Sequence, residues 1–386
     1  MKICYVNPTN NIRRPIAELS NILTNKDYQI SIMFPQSSNC PTKNWVANES
    51  INNSAIKKIT IRSRYFAPLR YNFPQLLYLW RETKKIYQEN DYVHIWEYYY
   101  PISTIPLLYA AFSKERRRKT ILTTDGFVGY SYKPKEPWWL VPAFKLYTKL
   151  FARFLFKIPT VITTYGDSML PFAKKALVPL SKLKVIPTGI HIDRFQKVKA
   201  IDLRQLRAEF SIQNEKIILF VGMLTERKGI KTVIEVSQQL LEEGLNIKTI
   251  IVGDAHGDNT YTQLVNPKFK DKIIFAGGRK DIPELMHLAD VLLLPSEGEG
   301  LPGVVMEAMA SGLPVVATYE GCTPDLIENG EEGLLVNNGD YYSPIKKVII
   351  DEKLKFEMSL KTKIKIKLFS WKNVYQKYEE LYSPHY

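Results

Sequence analysis

The 386-residue chain is too long for one ordinary core and fits two domains, and its 45% hydrophobic and 24% charged content excludes a disordered or low-complexity chain. Cys4, Cys40 and Cys322 are far apart with no CxxC pair, which excludes a disulfide framework or a cysteine zinc site and fits a reducing compartment. The net charge of +14 is uneven: residues 1–200 hold 31 Lys+Arg against 12 Asp+Glu, the remainder 22 against 27, so the first half carries all the basic excess and points to an anionic partner.

The opening MKICYVNP lacks the apolar run and cleavage site of a secretory signal, so a cytoplasmic protein is expected. Ile3–Val6 reads as a buried strand and Ile16–Leu23 as the helix after it. Strands are predicted next at Gln29–Phe34, Ile56–Ile61, Tyr92–Trp96, Thr120–Thr124, Val161–Thr164 and Leu183–Ile186, most of them closed by loop residues. The second half repeats the scheme at Ile217–Val221, Ile247–Val252, Ile273–Ala276, Val291–Leu294, Val315–Ala317 and Leu334–Val336. Short apolar runs alternating with helices predict an α/β fold with parallel sheets. Pro187-Thr188-Gly189 and the polar stretch after Gln196 set the boundary near 196. The expected organisation is 1–196, 197–368 and a C-terminal helix in 369–386 packing back on the first domain. Two doubly wound, Rossmann-like domains facing across a cleft would bring loops at their strand ends to one ligand site.

Two motifs carry chemistry. In Val221-Gly222-Met223-Leu224-Thr225-Glu226-Arg227-Lys228-Gly229, a strand runs through a short loop into a helix predicted to start near Lys228. Cations at a helix N-terminus oppose its dipole unless an anion lies between them, so Lys228 is either a phosphate ligand or a solvated surface lysine. In Ser296-Glu297-Gly298-Glu299-Gly300-Leu301-Pro302-Gly303, three glycines let main-chain amides approach a ligand, and Pro302 is predicted at the first position of a helix that Gly312 ends. Glu307, eight residues after Glu299, falls on the same side. Paired carboxylates beside free amides suit a polyhydroxyl ligand; taken alone, Glu307 also reads as a helix-surface charge.

These motifs, with IIVGDAHG, IPELMHLADVLLLPS, EGLPGVVMEAMASGLPVVAT, TPDLIENGEEGLLV, VIPTGIHIDRF and FSWKNVYQKYEELY in that spacing, resemble the family-4 retaining glycosyltransferases of the GT-B fold. The resemblance implies a nucleotide-sugar donor, retention of anomeric configuration, and roles for particular residues. Lys228 with Arg227 would neutralise the donor diphosphate, Glu299 would contact the donor sugar and Glu307 the ribose. Gly222, Gly253 and the main chain of Gly300, Leu301, Pro302 and Gly303 would line the donor site, and the loop Gly321-Cys322-Thr323 would approach the phosphates. Asp125, in Thr123-Thr124-Asp125-Gly126, stands where the family often has a histidine and is either a catalytic or acceptor contact or a loop cap. Met223 stands where an arginine often assists the lysine. The usual glycine-rich turn after the first strand is replaced by Asn7–Pro15, whose Arg13 and Arg14 bind phosphate or are solvated. No Asp-x-Asp and no histidine cluster is present, so no metal or other cofactor is expected.

The acceptor side is read from chemistry alone. Trp138–Lys157 places Lys145, Lys149, Arg153 and Lys157 in one stripe, with Phe144, Leu146, Tyr147, Leu150, Phe151, Phe154 and Leu155 opposite. This is either a helix lying in a membrane interface or a buried Rossmann-type helix. Its cations exclude a spanning helix, which wants about 20 apolar residues. A second basic-aromatic stretch runs from Arg62 through Arg70 to Lys85. A lipid-linked or membrane-associated glycan acceptor at the cytoplasmic face is the expected partner. A dinucleotide oxidoreductase is excluded by the absence of G-x-G-x-x-G after any strand, and nucleic acid by the absence of a recognised binding motif; a non-catalytic sugar- or nucleotide-binding relative is the alternative.

Overall fold

The computed structural model describes residues 1–37, 51, 53–66, 71–131, 139–254, 260–337 and 339–382. Cys40, Arg70, Trp138, residues 255–257 of the IIVGDAHG turn and the end at 383–386 lie outside that set. The chain forms two compact units, one of Met1–Thr188 with Val374–Tyr386 and one of Gly189–Asn373.

The first unit holds β1 (Lys2–Val6), β2 (Gln29–Gln36), β3 (Lys57–Phe66), β4 (Tyr71–Pro74), β5 (Tyr92–Trp96), β6 (Thr120–Thr123), β7 (Val161–Thr164) and β8 (Leu183–Val185). Their order is β4-β3-β2-β1-β5-β6-β7-β8. All pairs are parallel except β3–β4, an antiparallel pair running from Ser63↔Pro74 to Phe66↔Tyr71. The central strands are covered on both faces, which is why they read as unbroken apolar runs: Ile3, Cys4, Tyr5 and Val6 are fully buried, as are Val93, Ile95 and Trp96. Each such side chain contributes about 1.5–3 kcal/mol of burial. The helix Arg14–Thr24 turns Ile16, Leu19 and Leu23 inward at helical spacing.

The second unit holds β9 (Lys216–Val221), β10 (Ile247–Val252), β11 (Ile273–Gly277), β12 (Val291–Leu294), β13 (Val315–Thr318) and β14 (Gly333–Val336), all parallel, in the order β11-β10-β9-β12-β13-β14. In both sheets the order reverses beside the first strand, between β1 and β5 and between β9 and β12. Strand ends at such reversals open a crevice, so both positions are natural ligand sites.

Four sequence expectations are corrected. The units divide after Thr188 rather than near 196, because Gly189–Gln196 is anchored to the second unit. Ile190 accepts from the Trp371 amide at 3.1 Å and donates to the Phe369 carbonyl at 2.9 Å, and Phe195 is buried. The chain accordingly returns to the first unit at Val374 rather than at 369. The stretch from Arg62 to Lys85 is not one element: it is shared among β3, β4 and the helix Leu76–Glu89. The segment from Leu140 to Leu155 is neither wholly buried nor cleanly two-faced. A π-helical turn, Thr148–Ala152, shifts its phase. Thr148, Ala152 and Leu155 turn inward, while Leu146, Leu150, Phe151 and Phe154 stay 39–58% exposed. Among the described residues no helix is long and apolar enough to cross a membrane.

The returning segment closes the first unit through a buried polar seam. Tyr382 Oη lies 2.6 Å from His94 Nδ1 and 3.1 Å from Tyr5 Oη, and His94 Nε2 lies 2.7 Å from Thr123 Oγ1. Burial holds the His94 imidazole well below its ordinary pKa, so the ring is neutral and both nitrogens are satisfied by hydroxyls.

Candidate active site

At the reversal of the second sheet, β9 ends in Gly222 and a 3-10 turn, Glu226–Lys228. The helix begins only at Ile230, two residues later than Lys228, because Gly229 takes a left-handed φ of 72° and breaks the turn. Lys228 Nζ lies 2.6 Å from Glu299 Oε1, both side chains being largely buried at 14% and 12% exposure. Arg227 Nη1 reaches the same oxygen at 3.4 Å and donates to the Glu297 carbonyl at 2.9 Å, so it also braces the loop that carries Glu299. That loop follows β12 and leads into the helix Gly303–Ser311. Pro302 is the residue before the helix, not its first, since its ψ of 111° is extended.

The loop is stitched to the one after β13: the Gly298 amide donates to Glu320 Oε2 at 2.7 Å and the Cys322 amide to the Gly300 carbonyl at 2.9 Å. Two glycines make this convergence sterically possible. A Cβ at Gly321 (φ 60°) would sit 1.8 Å from the Glu299 carbonyl oxygen, and one at Gly253, after β10, 1.8 Å from the Gly222 carbonyl oxygen. The structure thus gathers Gly222, Lys228, Gly253, Glu299, Gly300 and Gly321 at adjacent strand ends. Glu307 is half-buried on the helix Gly303–Ser311. Leu301, Pro302, Cys322 and Thr323 are buried, so these four offer a ligand only their main chain.

The reversal of the first sheet holds a cluster of its own. Arg13 is part-buried in an ion-paired cluster rather than solvated. Its Nη1 lies 2.8 Å from Glu97 Oε1 and 2.6 Å from Asp125 Oδ2. Asn7 holds the loop that stands in place of a glycine-rich turn: fully buried, its amide donates to the Thr9 and Asn11 carbonyls and its Oδ1 accepts from the Arg13 main chain at 3.0 Å. Asp125, just beyond β6, is 34% exposed, whereas Glu97, just beyond β5, is fully buried with a left-handed φ of 61°. Buried carboxylates with a left-handed backbone at strand ends are the kind of residue that clusters at functional sites. Glu97 Oε1 also accepts from the Asp125 amide at 3.2 Å, and Oε2 lies 2.7 Å from Thr124 Oγ1.

Burial, reinforced by the Asp125 charge, pushes the Glu97 carboxyl well above its ordinary pKa. Burial acts on Asp125 in the same sense, but the Arg13 charge and the hydrogen bonds from Glu97 and Arg13 together outweigh it and hold Asp125 below the usual range. The pair therefore divides into a neutral buried acid and an ionised, partly exposed carboxylate. Sequence reasoning passed over Glu97, which stands in a run of tyrosines; its one signal was an acidic residue directly after an apolar strand.

Cations and glycine-opened amides at the reversal of a doubly wound sheet are the equipment of a nucleotide-binding α/β enzyme. Residues 215–350 match the family described as "Glycosyl transferases group 1". The N-acetyl-alpha-D-glucosaminyl L-malate synthase of Bacillus anthracis is 33% identical over 141 residues, 36% of this chain and 37% of that one. The UDP-Gal:alpha-D-GlcNAc-diphosphoundecaprenol alpha-1,3-galactosyltransferase of Escherichia coli is 28% identical over 253 residues, 63% of each chain. The crystal structure of Anabaena Alr3699/HepE in complex with UDP and glucose has the same fold, with a TM-score of 0.75, 18% identity and 98% of each chain covered. The chain thus has the GT-B fold of this glycosyltransferase structure, and its residues 215–350 are similar to the group 1 glycosyltransferases.

Proposed function

We propose that this chain moves a sugar from a nucleoside-diphosphate donor to a lipid-linked or membrane-associated glycan precursor, with retention and without a metal. The observation that carries the reading is the largely buried Lys228–Glu299 pair at the strand ends of the second unit. A cation held there meets the donor diphosphate and neutralises the charge that grows on it as the glycosidic bond breaks, with Arg227 assisting. This is the task a metal ion performs elsewhere. Displaced from Lys228, Glu299 accepts from donor-sugar hydroxyls, while the Gly300 to Gly303 main chain donates to them and Glu307 holds the ribose. Retention follows from the likeness of the Glu299–Glu307 block to the retaining family.

The first unit supplies the acceptor contacts. Asp125, ionised and fixed by Arg13, accepts from the incoming hydroxyl. The exposed Leu146, Leu150 and Phe154, interleaved with Lys145, Lys149 and Lys157, suit an anionic membrane surface, where each nearby cation contributes about 1 kcal/mol. The lipid diphosphate named for the Escherichia coli relative agrees with that chemistry. The test is a thermal-shift screen with UDP, GDP, ADP, dTDP and their sugars on the wild type, Lys228→Ala and Glu299→Ala. Stabilisation by one nucleotide class that Lys228→Ala abolishes supports the donor site. No stabilisation by any of them would contradict it and return the chain to the non-catalytic reading.

A further inference from the structure

A face of the second unit stands outside the donor site. The helix Glu352–Lys365 buries Met358 and Thr362, and the turn Ile366–Phe369 buries Ile366 and Phe369. Away from that packing, Phe356, Leu360 and Ile364 are 63%, 47% and 67% exposed and lie together on the same helix rather than standing singly. They are spaced four residues apart, so they follow one another along a ridge. Lys353 and Lys363 are exposed between them; at 100° per residue all five side chains fall within an arc of roughly 100°. Lys367 and Leu368 continue the exposed face into the turn. Glu357 borders the arc and is paired with Lys353 at 4.0 Å. Lys355 bonds Asp290 at 2.7 Å and Lys365 bonds Glu332 at 3.1 Å, holding the helix to its own unit, and the stem of Lys363 lies against Gly312, where a Cβ would sit 2.1 Å from Lys363 Cε, so Lys353 and Lys367 are the cations that extend from the face.

We infer that this face is a lipid-contact surface of the second unit, seated on an anionic bilayer independently of the segment from Leu140 to Leu155. Lysines set among apolar side chains, rather than on the far side of the helix, are the arrangement in which long stems lie along acyl chains and ammonium groups reach the headgroups. The charge is local: it stands in a half of the chain whose sum is −5, while 352–368 alone contains six lysines and two glutamates. The positive balance of this face suits an anionic surface better than a second copy carrying the same charge. The helix of 14 residues is too short and too charged to span a bilayer, so it lies in the interface plane.

The test places an environment-sensitive NBD probe on Leu360→Cys in full-length Cys40→Ser protein, Cys4 and Cys322 being buried. Vesicles of phosphatidylcholine alone and of phosphatidylcholine with one-third phosphatidylglycerol are titrated in. The expected result is a blue shift and quenching by doxyl-lipid on the anionic vesicles, retained when Leu146, Leu150 and Phe154 are all changed to serine. In cosedimentation, Phe356→Ser/Leu360→Ser/Ile364→Ser lowers partitioning about ten-fold with an unchanged circular dichroism spectrum. A probe that stays in water while the protein pellets would overturn the inference and leave the first unit's segment as the sole anchor. So would a blue shift without lipid accompanied by a doubled mass, which assigns the face to a second copy. A response to an acidic peptide but not to vesicles would overturn it in favour of a protein partner.

Discussion

Replacing Glu97 by glutamine keeps the shape of the Arg13–Glu97–Asp125 cluster and removes one titrating proton. Thr124 Oγ1 carries a single hydrogen but lies 2.7 Å from both Glu97 Oε2 and the Gly126 carbonyl oxygen. If the hydroxyl donates to Gly126, the hydrogen between Thr124 and Glu97 comes from the carboxyl. A glutamine Nε2–H fills that place, and its Oε1 still accepts from Arg13 and the Asp125 amide. A neutral native acid retains a proton that the unfolded chain releases above about 4.5, so wild-type stability contains a component present below that value and lost as pH rises towards the raised native pKa. The variant lacks this component. Its stability relative to wild type therefore climbs through that window, with a limiting slope of about 1.4 kcal/mol per pH unit for one proton. Urea denaturation of both proteins from pH 4.5 to 8 reads this difference, and subtraction removes the titrating groups that do not touch Glu97, leaving its partner Asp125 as the one coupled group. A pH-independent difference, or a variant less stable by about 3 kcal/mol throughout, would mean that Glu97 is ionised and would refute the reasoning.

Other outcomes follow from the same geometry. His94→Gln flattens the acid limb of the stability curve: a buried neutral imidazole leaves the unfolded chain to bind the extra proton below about pH 6.5, so wild-type stability falls by up to about 1.4 kcal/mol per unit as pH drops through that range. Lys228→Ala weakens nucleotide binding by about 2 kcal/mol, the scale of one charge-assisted contact, measured by calorimetry with UDP, while Lys228→Met, which keeps the stem, weakens it equally if charge is what matters. Activity persists in excess EDTA; loss restored by manganese would sink the metal-free account. Leu146→Ser/Leu150→Ser/Phe154→Ser reduces cosedimentation with anionic vesicles and leaves nucleotide binding unchanged.

The central strands were legible because burial on both faces writes an uninterrupted apolar run, as in Ile3–Val6 and Val291–Leu294, and the glycines of 298–303 mark where main chain meets main chain. The antiparallel strand Tyr71–Pro74 was not legible: it is four residues long, contains a proline, and owes its existence to pairing with β3. The unit boundary escaped for a related reason, since the polar stretch after Gln196 reads as the linker while residues 189–196 are fixed by contacts with residues near 370, far along the chain. In the second unit, Lys228 and Glu299 stood out through local loop-and-helix chemistry. In the first, the meeting of Arg13, Glu97 and Asp125 depends on strand order: β1, β5 and β6 become neighbours only in the folded sheet. The phase shift at Thr148–Ala152 likewise turns what reads as one stripe into a partly docked helix.

The central claim is sugar transfer from a nucleotide donor held at Lys228, and the most direct measurement is incorporation of radiolabelled sugar from UDP-, GDP-, ADP- and dTDP-sugars into chloroform-extractable membrane lipid by wild type and Lys228→Ala. The account predicts label in the lipid fraction with one nucleotide-sugar and wild-type protein, persisting in EDTA and lost in the variant. Nucleotide binding without consumption of any of these sugars, or equal incorporation by the two proteins, would contradict it.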